Sequence, residues 1–258
     1  PLRVRLAAVP VAVAHGPRMV SESVRTVALI PAAGLGLRMG GDVRKQFRLL
    51  GGLPLIVHSL RVFQSSPVID AVILAVPEAD LHYCRTEIVE PHRFTKVSQI
   101  IAGGKERQDS VRHALAQVDE RVNLVVIHDA VRPCVTDTMV RQVVEAAAAD
   151  GAAIIALPMR DTVKQVGGDR VIERTIDRKP LWLAQTPQAF RRDWLQDAHR
   201  KAQAEAMAAT DDAFLLEWMG YPVRVVEGSG ENIKITRPED LVIGEAILAS
   251  RLSRSDGH

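Results

Sequence analysis

From Thr26 onward the chain alternates two hydrophobic patterns. Short apolar runs rich in valine and isoleucine fall at Val27–Ile30, Ala71–Val76, Val97–Ile101, Leu124–Ile127 and Ala153–Leu157. Runs of this kind form strands buried on both faces. Between them apolar residues recur at helical spacing. Ile56, Leu60 and Phe63 share one face behind Pro54, and Val111, Ala114, Leu115 and Val118 follow the i, i+3, i+4, i+7 template. An alanine-rich helix fits Thr138–Asp150, with Gly151 placed to stop it. Strand–helix alternation predicts an α/β fold with a doubly wound, mostly parallel sheet and helices on both faces.

The rhythm breaks after Pro158. Residues 159–181 alternate apolar and polar positions around Gly167-Gly168-Asp169, which predicts a projecting β-hairpin arm. Helices are then expected at Arg192–Glu205 and Asp211–Met219, and strands at Tyr221–Glu227 and Asn232–Thr236. A last helix starts at Pro238, with Thr236 and Glu239 at capping-box spacing. There is no internal repeat or interdomain linker, so residues 26–258 read as one domain. Residues 1–25 read as a disordered leader; their apolar stretch Leu6–Ala14 follows two arginines but is broken by Pro10.

Composition narrows the function. Apolar residues make up 47% of 258 and the formal net charge is only +2, with basic residues scattered. That leaves no electrostatic footprint for nucleic acid. No apolar run approaches the roughly 20 residues of a membrane span. Cys84 and Cys134 lie far apart, which argues against a disulfide framework or zinc knuckle and makes a reducing cytoplasm the default compartment.

Three segments carry chemistry. Pro31–Gly40 (PAAGLGLRMG) follows the first strand, where backbone N–H groups can close on an anion. It fails the dinucleotide fingerprint G-x-G-x-x-G, because Gly34 and Gly36 would require glycine at Met39, and no Gly-Lys-Ser/Thr of a Walker loop follows. Arg38 and Lys45 suit a triphosphate lying along the loop; the plain alternative is a glycine-rich surface turn. In His128–Pro133 (HDAVRP), Asp129 stands at a strand end, where it could hold Mg²⁺ or serve as a cap. His128 reads as a hydrogen-bonded core histidine, and Arg132 as a phosphate contact or an ion-pair partner. Lys234 alternates with Ile233 and Ile235, free to reach a phosphate or to be solvated.

Taken in order, PAAGLGLRM with KQF, GGKERQDSV, VIHDAVRP, RDTVK, RTIDR, AQTPQAF, TDDA and NIKITRPEDL resemble the 2-C-methyl-D-erythritol 4-phosphate cytidylyltransferase family over residues 26–250. The resemblance implies a Rossmann-like nucleotidyltransferase fold. It also implies transfer of CMP from CTP to 2-C-methyl-D-erythritol 4-phosphate, with Mg²⁺ or another divalent cation as cofactor; ribitol 5-phosphate or a similar polyol phosphate is the alternative acceptor. It implies that Ala32, Ala33 and Gly34 cradle the nucleotide, that Arg38, Lys45 and Lys234 act on its phosphates, and that Gly104, Lys105 and Ser110 lie near the cytosine. Asp129 and Ala130 would lie near the ribose and metal, and Arg132, Thr162, Arg178, Thr186 and Thr210 would line the sugar-phosphate pocket. The arm would cross to the partner subunit of a homodimer. Two positions depart from the family pattern: Lys105, where an acid is common, and Arg44, where proline is common.

Overall fold

The computed structural model describes residues 25–34 and 43–255. Residues 1–24 of the expected leader, and Arg38, lie outside the described residues. Strand β1 (Thr26–Pro31) leads to a small ladder of β2 (Leu49–Leu50) and β3 (Leu53–Pro54), then α1 (Leu55–Ser65) and β4 (Ala71–Val76). Helix α2 (Leu81–Tyr83) runs into a π-helical turn, Cys84–Val89, before β5 (Val97–Ala102), α3 (Arg107–Leu115), β6 (Leu124–Ile127), α4 (Asp137–Asp150) and β7 (Ala152–Pro158). The arm is β8 (Val163–Val166) and β9 (Ile172–Ile176). After it come β10 (Trp182–Arg191), α5 (Arg192–Ala204), α6 (Asp212–Trp218), β11 (Arg224–Glu227) and α7 (Pro238–Ser255).

The central sheet has the order β11-β7-β10-β6-β1-β4-β5. All its pairings are parallel except those of β10, which runs antiparallel to β6 and β7. The apolar runs are explained by two cores. Ala28, Ile30, Leu74 and Val126 face α1 and α4, packing with Leu60, Phe63, Val140 and Val143. Their neighbours Val27, Leu29, Ile73 and Val125 face the other way, onto Val111, Leu115, Leu195 and Leu215 of α3, α5 and α6. A strand whose alternate residues enter two cores has no polar face to show.

Three expectations need correction. Strand β10 was not foreseen: Gln185, Thr186, Pro187 and Gln188 interrupt its apolar pattern, yet Gln185, Thr186 and Gln188 are buried and hydrogen-bonded. Asn232–Thr236 is no strand. Its backbone is tied to the sheet region by Ile235 N–H donating to Val131 O at 2.8 Å, while Asn232 Nδ2 donates to Thr186 O at 2.9 Å and Gln185 Oε1 at 3.1 Å. The α7 cap also differs. Asp240, rather than Glu239, accepts from the N–H groups of Thr236 and Arg237 at 2.7 and 2.8 Å.

Gly151 ends α4 as expected, with φ 91°. An ideal Cβ there would stand 2.4 Å from the Trp194 ring, which is stacked on Tyr221. Gly151→Ala should therefore combine left-handed strain with overpacking, lowering stability by about 1–3 kcal/mol. An unshifted urea midpoint would show that the ring gives way freely.

Candidate active site

The parallel strands β1, β5 and β6 end on one edge of the sheet. From β1 the chain moves next to β4 on one side, while β6 flanks it on the other, so a crevice opens above β1. A cavity of about 160 Å³ lies there, lined by Ala32, Ala33, Gly34, Lys45, Gln46, Arg107, Ser110, Asp129, Ala130 and Lys234 among others.

Each wall has a local cause. Gln46 is buried and donates to Ala32 O at 2.6 Å, tying the turn that carries Lys45 to the end of β1. Arg44, the departure from the family pattern, pairs with Asp80 at 2.6 Å and pins the start of that turn. Ser110 Oγ accepts from Gly104 N–H at 3.1 Å and donates to Glu106 O at 3.2 Å, closing the β5–α3 loop. Gly103 must be glycine for packing: a Cβ would stand 2.4 Å from that of Ala33. On the far side Ile235 is buried with Leu50, Leu55 and Val131, which places Lys234 at the rim.

Asp129 is the acid of the pocket floor. Arg107 Nε donates to its Oδ1 at 2.8 Å and Lys234 Nζ pairs with its Oδ2 at 2.7 Å. Burial opposes ionisation, but the charges of Arg107 and Lys234 outweigh it and hold the carboxyl well below the usual range. Behind it runs an ordered relay of hydrogen bonds. Asp129 N–H donates to Thr186 Oγ1 at 3.0 Å, that hydroxyl lies 3.2 Å from His128 Nδ1, and His128 Nε2 lies 3.2 Å from Arg132 O. A carbonyl only accepts, so the His128 proton sits on Nε2 and Nδ1 accepts from Thr186. Burial pushes the His128 imidazole down to about 4, so it is neutral near pH 7 and acts as a strut.

Of the residues named from sequence, Ala32, Ala33, Gly34, Lys45, Ser110, Asp129, Ala130 and Lys234 come together in this cavity. Gly104 lies in the adjoining loop and Lys105 is exposed beside it. Thr186 is inside the wall, and Arg132 donates to Asn232 O at 2.8 Å. Thr210 is exposed just before α6. Thr162 and Arg178 line a separate hollow on the arm, with Thr175, Ile176 and Asp177. Arg107 and Gln46 were not singled out in advance. Both sit inside quoted motifs, but only their three-dimensional partners reveal what they hold.

Asp129 is the carboxylate expected to help hold a phosphate-bound Mg²⁺, and in this structure it faces two cations instead. Both its oxygens already accept from cations, and among the described residues no group of three or more His, Cys, Asp or Glu side chains converges on one point. The charged lining, Lys45, Arg107 and Lys234 against Asp129, is cationic in balance and suits a polyanion directly.

Comparison with known proteins gives this cavity its context. The family model for IspD, 2-C-methyl-D-erythritol 4-phosphate cytidylyltransferase, matches residues 26–250. The 2-C-methyl-D-erythritol 4-phosphate cytidylyltransferase of Syntrophus aciditrophicus is 49% identical over 230 residues, covering 89% of this chain and 98% of that protein. That of Pelotomaculum thermopropionicum is 46% identical over 230 residues, covering 89% and 97%. Among solved structures, the 4-diphosphocytidyl-2C-methyl-D-erythritol synthase of Anaerococcus prevotii superposes with a TM-score of 0.77 at 30% identity, covering 88% of this chain and 97% of that one. The Thermus thermophilus cytidylyltransferase gives 0.71 at 35% identity, covering 86% and 98%. The match spans the sheet, the cavity and the arm alike, and the chain belongs to the 2-C-methyl-D-erythritol 4-phosphate cytidylyltransferase family.

Proposed function

We infer that this chain is a nucleotidyltransferase that moves CMP from CTP to 2-C-methyl-D-erythritol 4-phosphate, giving 4-diphosphocytidyl-2-C-methyl-D-erythritol and pyrophosphate. The observation that carries the reading is a strand-edge cavity with three cations against one acid, inside a family match covering nearly all of the described chain. The acceptor's phosphate oxygen attacks the α-phosphorus of CTP. A new O–P bond forms as the bond to the β-phosphate oxygen breaks, and the electron pair leaves with pyrophosphate. A phosphate monoester is already anionic near neutral pH, so no general base is required. His128, buried and neutral, is accordingly not needed as one. What the chain must supply is position and positive charge, and Lys45 and Lys234 supply both at the cavity. Arg38, four residues after Gly34 in the sequence, is assigned to the same phosphates by the family resemblance.

We propose that Mg²⁺ arrives on the triphosphate as part of the substrate, since each oxygen of Asp129 already accepts from a cation, Arg107 or Lys234. We also propose a homodimer through the arm. Its two strands are exposed along most of their length, and Val166, Val171, Ile172, Trp182 and Leu183 are exposed apolar residues on it or at its base. Both cysteines are free thiols, and no described helix is long and apolar enough to cross a membrane; a cytoplasmic enzyme accords with both.

The acceptor is tested by pyrophosphate release from CTP with a panel of polyol phosphates. 2-C-methyl-D-erythritol 4-phosphate is expected to give the highest kcat/KM. A higher value with ribitol 5-phosphate would transfer the assignment to that alternative.

A further inference from the structure

A line of charges runs from the pocket floor into the body of the domain. Arg107 is the first residue of α3 and lines the cavity. Its guanidinium divides between two acids: Nε donates to Asp129 Oδ1 at 2.8 Å and Nη1 donates to Asp212 Oδ2 at 2.7 Å. Asp212, at the start of α6, is fully buried, and its second oxygen accepts from His199 Nε2 of α5 at 3.1 Å. Asp129's second oxygen holds Lys234. Five side chains from five parts of the chain thus form one run: His199, Asp212, Arg107, Asp129, Lys234.

The run is more than a tie between α3 and α6. A tie needs only the Arg107–Asp212 pair. The second tooth of the fork instead grips the acid that holds the pocket lysine. Arginine's planar fork can serve two carboxylates at fixed positions at once, which a lysine's single ammonium cannot do in the same geometry. Burial opposes the charge on Arg107, yet Asp212 and Asp129 together raise its proton affinity above the ordinary value, so the fork is permanently cationic. Burial likewise opposes ionisation of Asp212, and Arg107 with His199 overcomes it. The anchor at the inner end is therefore charged and rigid.

We propose that Arg107 is a positioning residue: anchored by Asp212 and His199, it fixes the carboxylate of Asp129, and through it the place of the Lys234 ammonium that receives the nucleotide. This rests on the reading of the cavity as a CTP site. Its test is therefore CTP binding without any acceptor, measured by titration calorimetry on the full chain.

The variants are Arg107→Lys and Asp212→Asn, each made in the parent and in Lys234→Ala. Asparagine can keep both hydrogen bonds of Asp212, with His199 changing tautomer, while losing the charge. In the parent each variant is expected to weaken CTP binding about fivefold or more, with the thermal midpoint within a few degrees. In the Lys234→Ala background each should weaken it less than about twofold, because the residue through which they act is gone. Equal losses in both backgrounds, or no loss in the parent, would overturn the proposal. If Arg107→Lys does not fold, Asp212→Asn decides alone. A parent chain that binds no CTP would sink the nucleotide reading and this inference with it, a result plainly different from binding with equal losses.

Discussion

Replacing Lys234 with alanine is expected to lower kcat about a hundredfold or more while leaving the protein folded. The ammonium stands 2.7 Å from Asp129 at the cavity rim, and its side chain is 39% exposed, so its removal opens no hole in the core. The segment beneath it is held by other groups, Ile235 among Leu50, Leu55 and Val131, and Asn232 on Thr186 and Gln185. Asp129 keeps Arg107 as a partner, so no buried acid is stranded. What is lost is a positive charge at the point where negative charge crowds as the new phosphate bond forms. Charge of that kind is worth most in a partly enclosed site with its donor already in place. Lys234→Arg keeps the charge but changes its shape, and it should recover only part of the rate. Steady-state kinetics with thermal unfolding as a control makes the measurement. A near-parental kcat in Lys234→Ala would reduce Lys234 to a counter-ion for Asp129.

How much of this could be read beforehand depends on how many faces a segment buries. β1, β4, β6 and β7 were legible almost to their ends, because strands packed on both sides have to be apolar throughout, whereas β5, partly buried at the sheet edge, was read from Val97, Ile100 and Ile101 despite Ser98 and Gln99. α4 was legible because Gly151 must stop it, although its cap proved to be Thr136, whose hydroxyl accepts from Met139 N–H at 3.3 Å. β10 was hidden by the polar residues Gln185–Gln188, whose burial depends on partners such as Asp211 and Asn232 that are distant in sequence. Asn232–Thr236 failed in the opposite sense: its alternation is real, but it reflects a loop pinned at Asn232 and Ile235, with no ladder beside it. The site divides in the same way. Ala32, Ala33, Gly34, Lys45 and Lys234 were picked out by the ordered motifs and meet in one cavity, although Lys234 read alone was as readily solvated. Arg107 was not picked out, since an arginine in the first turn of a helix reads as solvated until Asp129 and Asp212, 22 and 105 residues away, are brought to it. Asp129 shows the limit of residue type alone. A strand-end acid suggested a metal, and residue type alone gave no sign of the two cations, Arg107 and Lys234, that meet its oxygens.

Co-refolding two inactive variants is expected to restore activity if the arm serves the partner's site. Thr162 and Arg178 line a hollow on the arm that is distinct from the nucleotide cavity, and the arm's own strands make a two-stranded sheet apart from the central one. The role in substrate binding that the family resemblance implies for Arg178 requires a second copy to bring its cavity to the arm. In the proposed two-fold dimer each active site takes Lys234 from one chain and Arg178 from the other. Homodimers of Lys234→Ala, or of Arg178→Ala, then carry a lesion in both sites. A mixed dimer is different: both lesions fall into one site and the other is wholly intact. After random exchange of equal amounts about half the dimers are mixed, so about a quarter of all sites should regain parental turnover. If each arm serves its own chain, every site keeps one lesion and mixing restores nothing. Native mass spectrometry establishes that mixed dimers have formed, and pyrophosphate release reads the recovered sites. Confirmed mixing without recovery would sink the shared site while leaving the cytidylyltransferase reading intact, because that reading rests on the cavity lining and the family match.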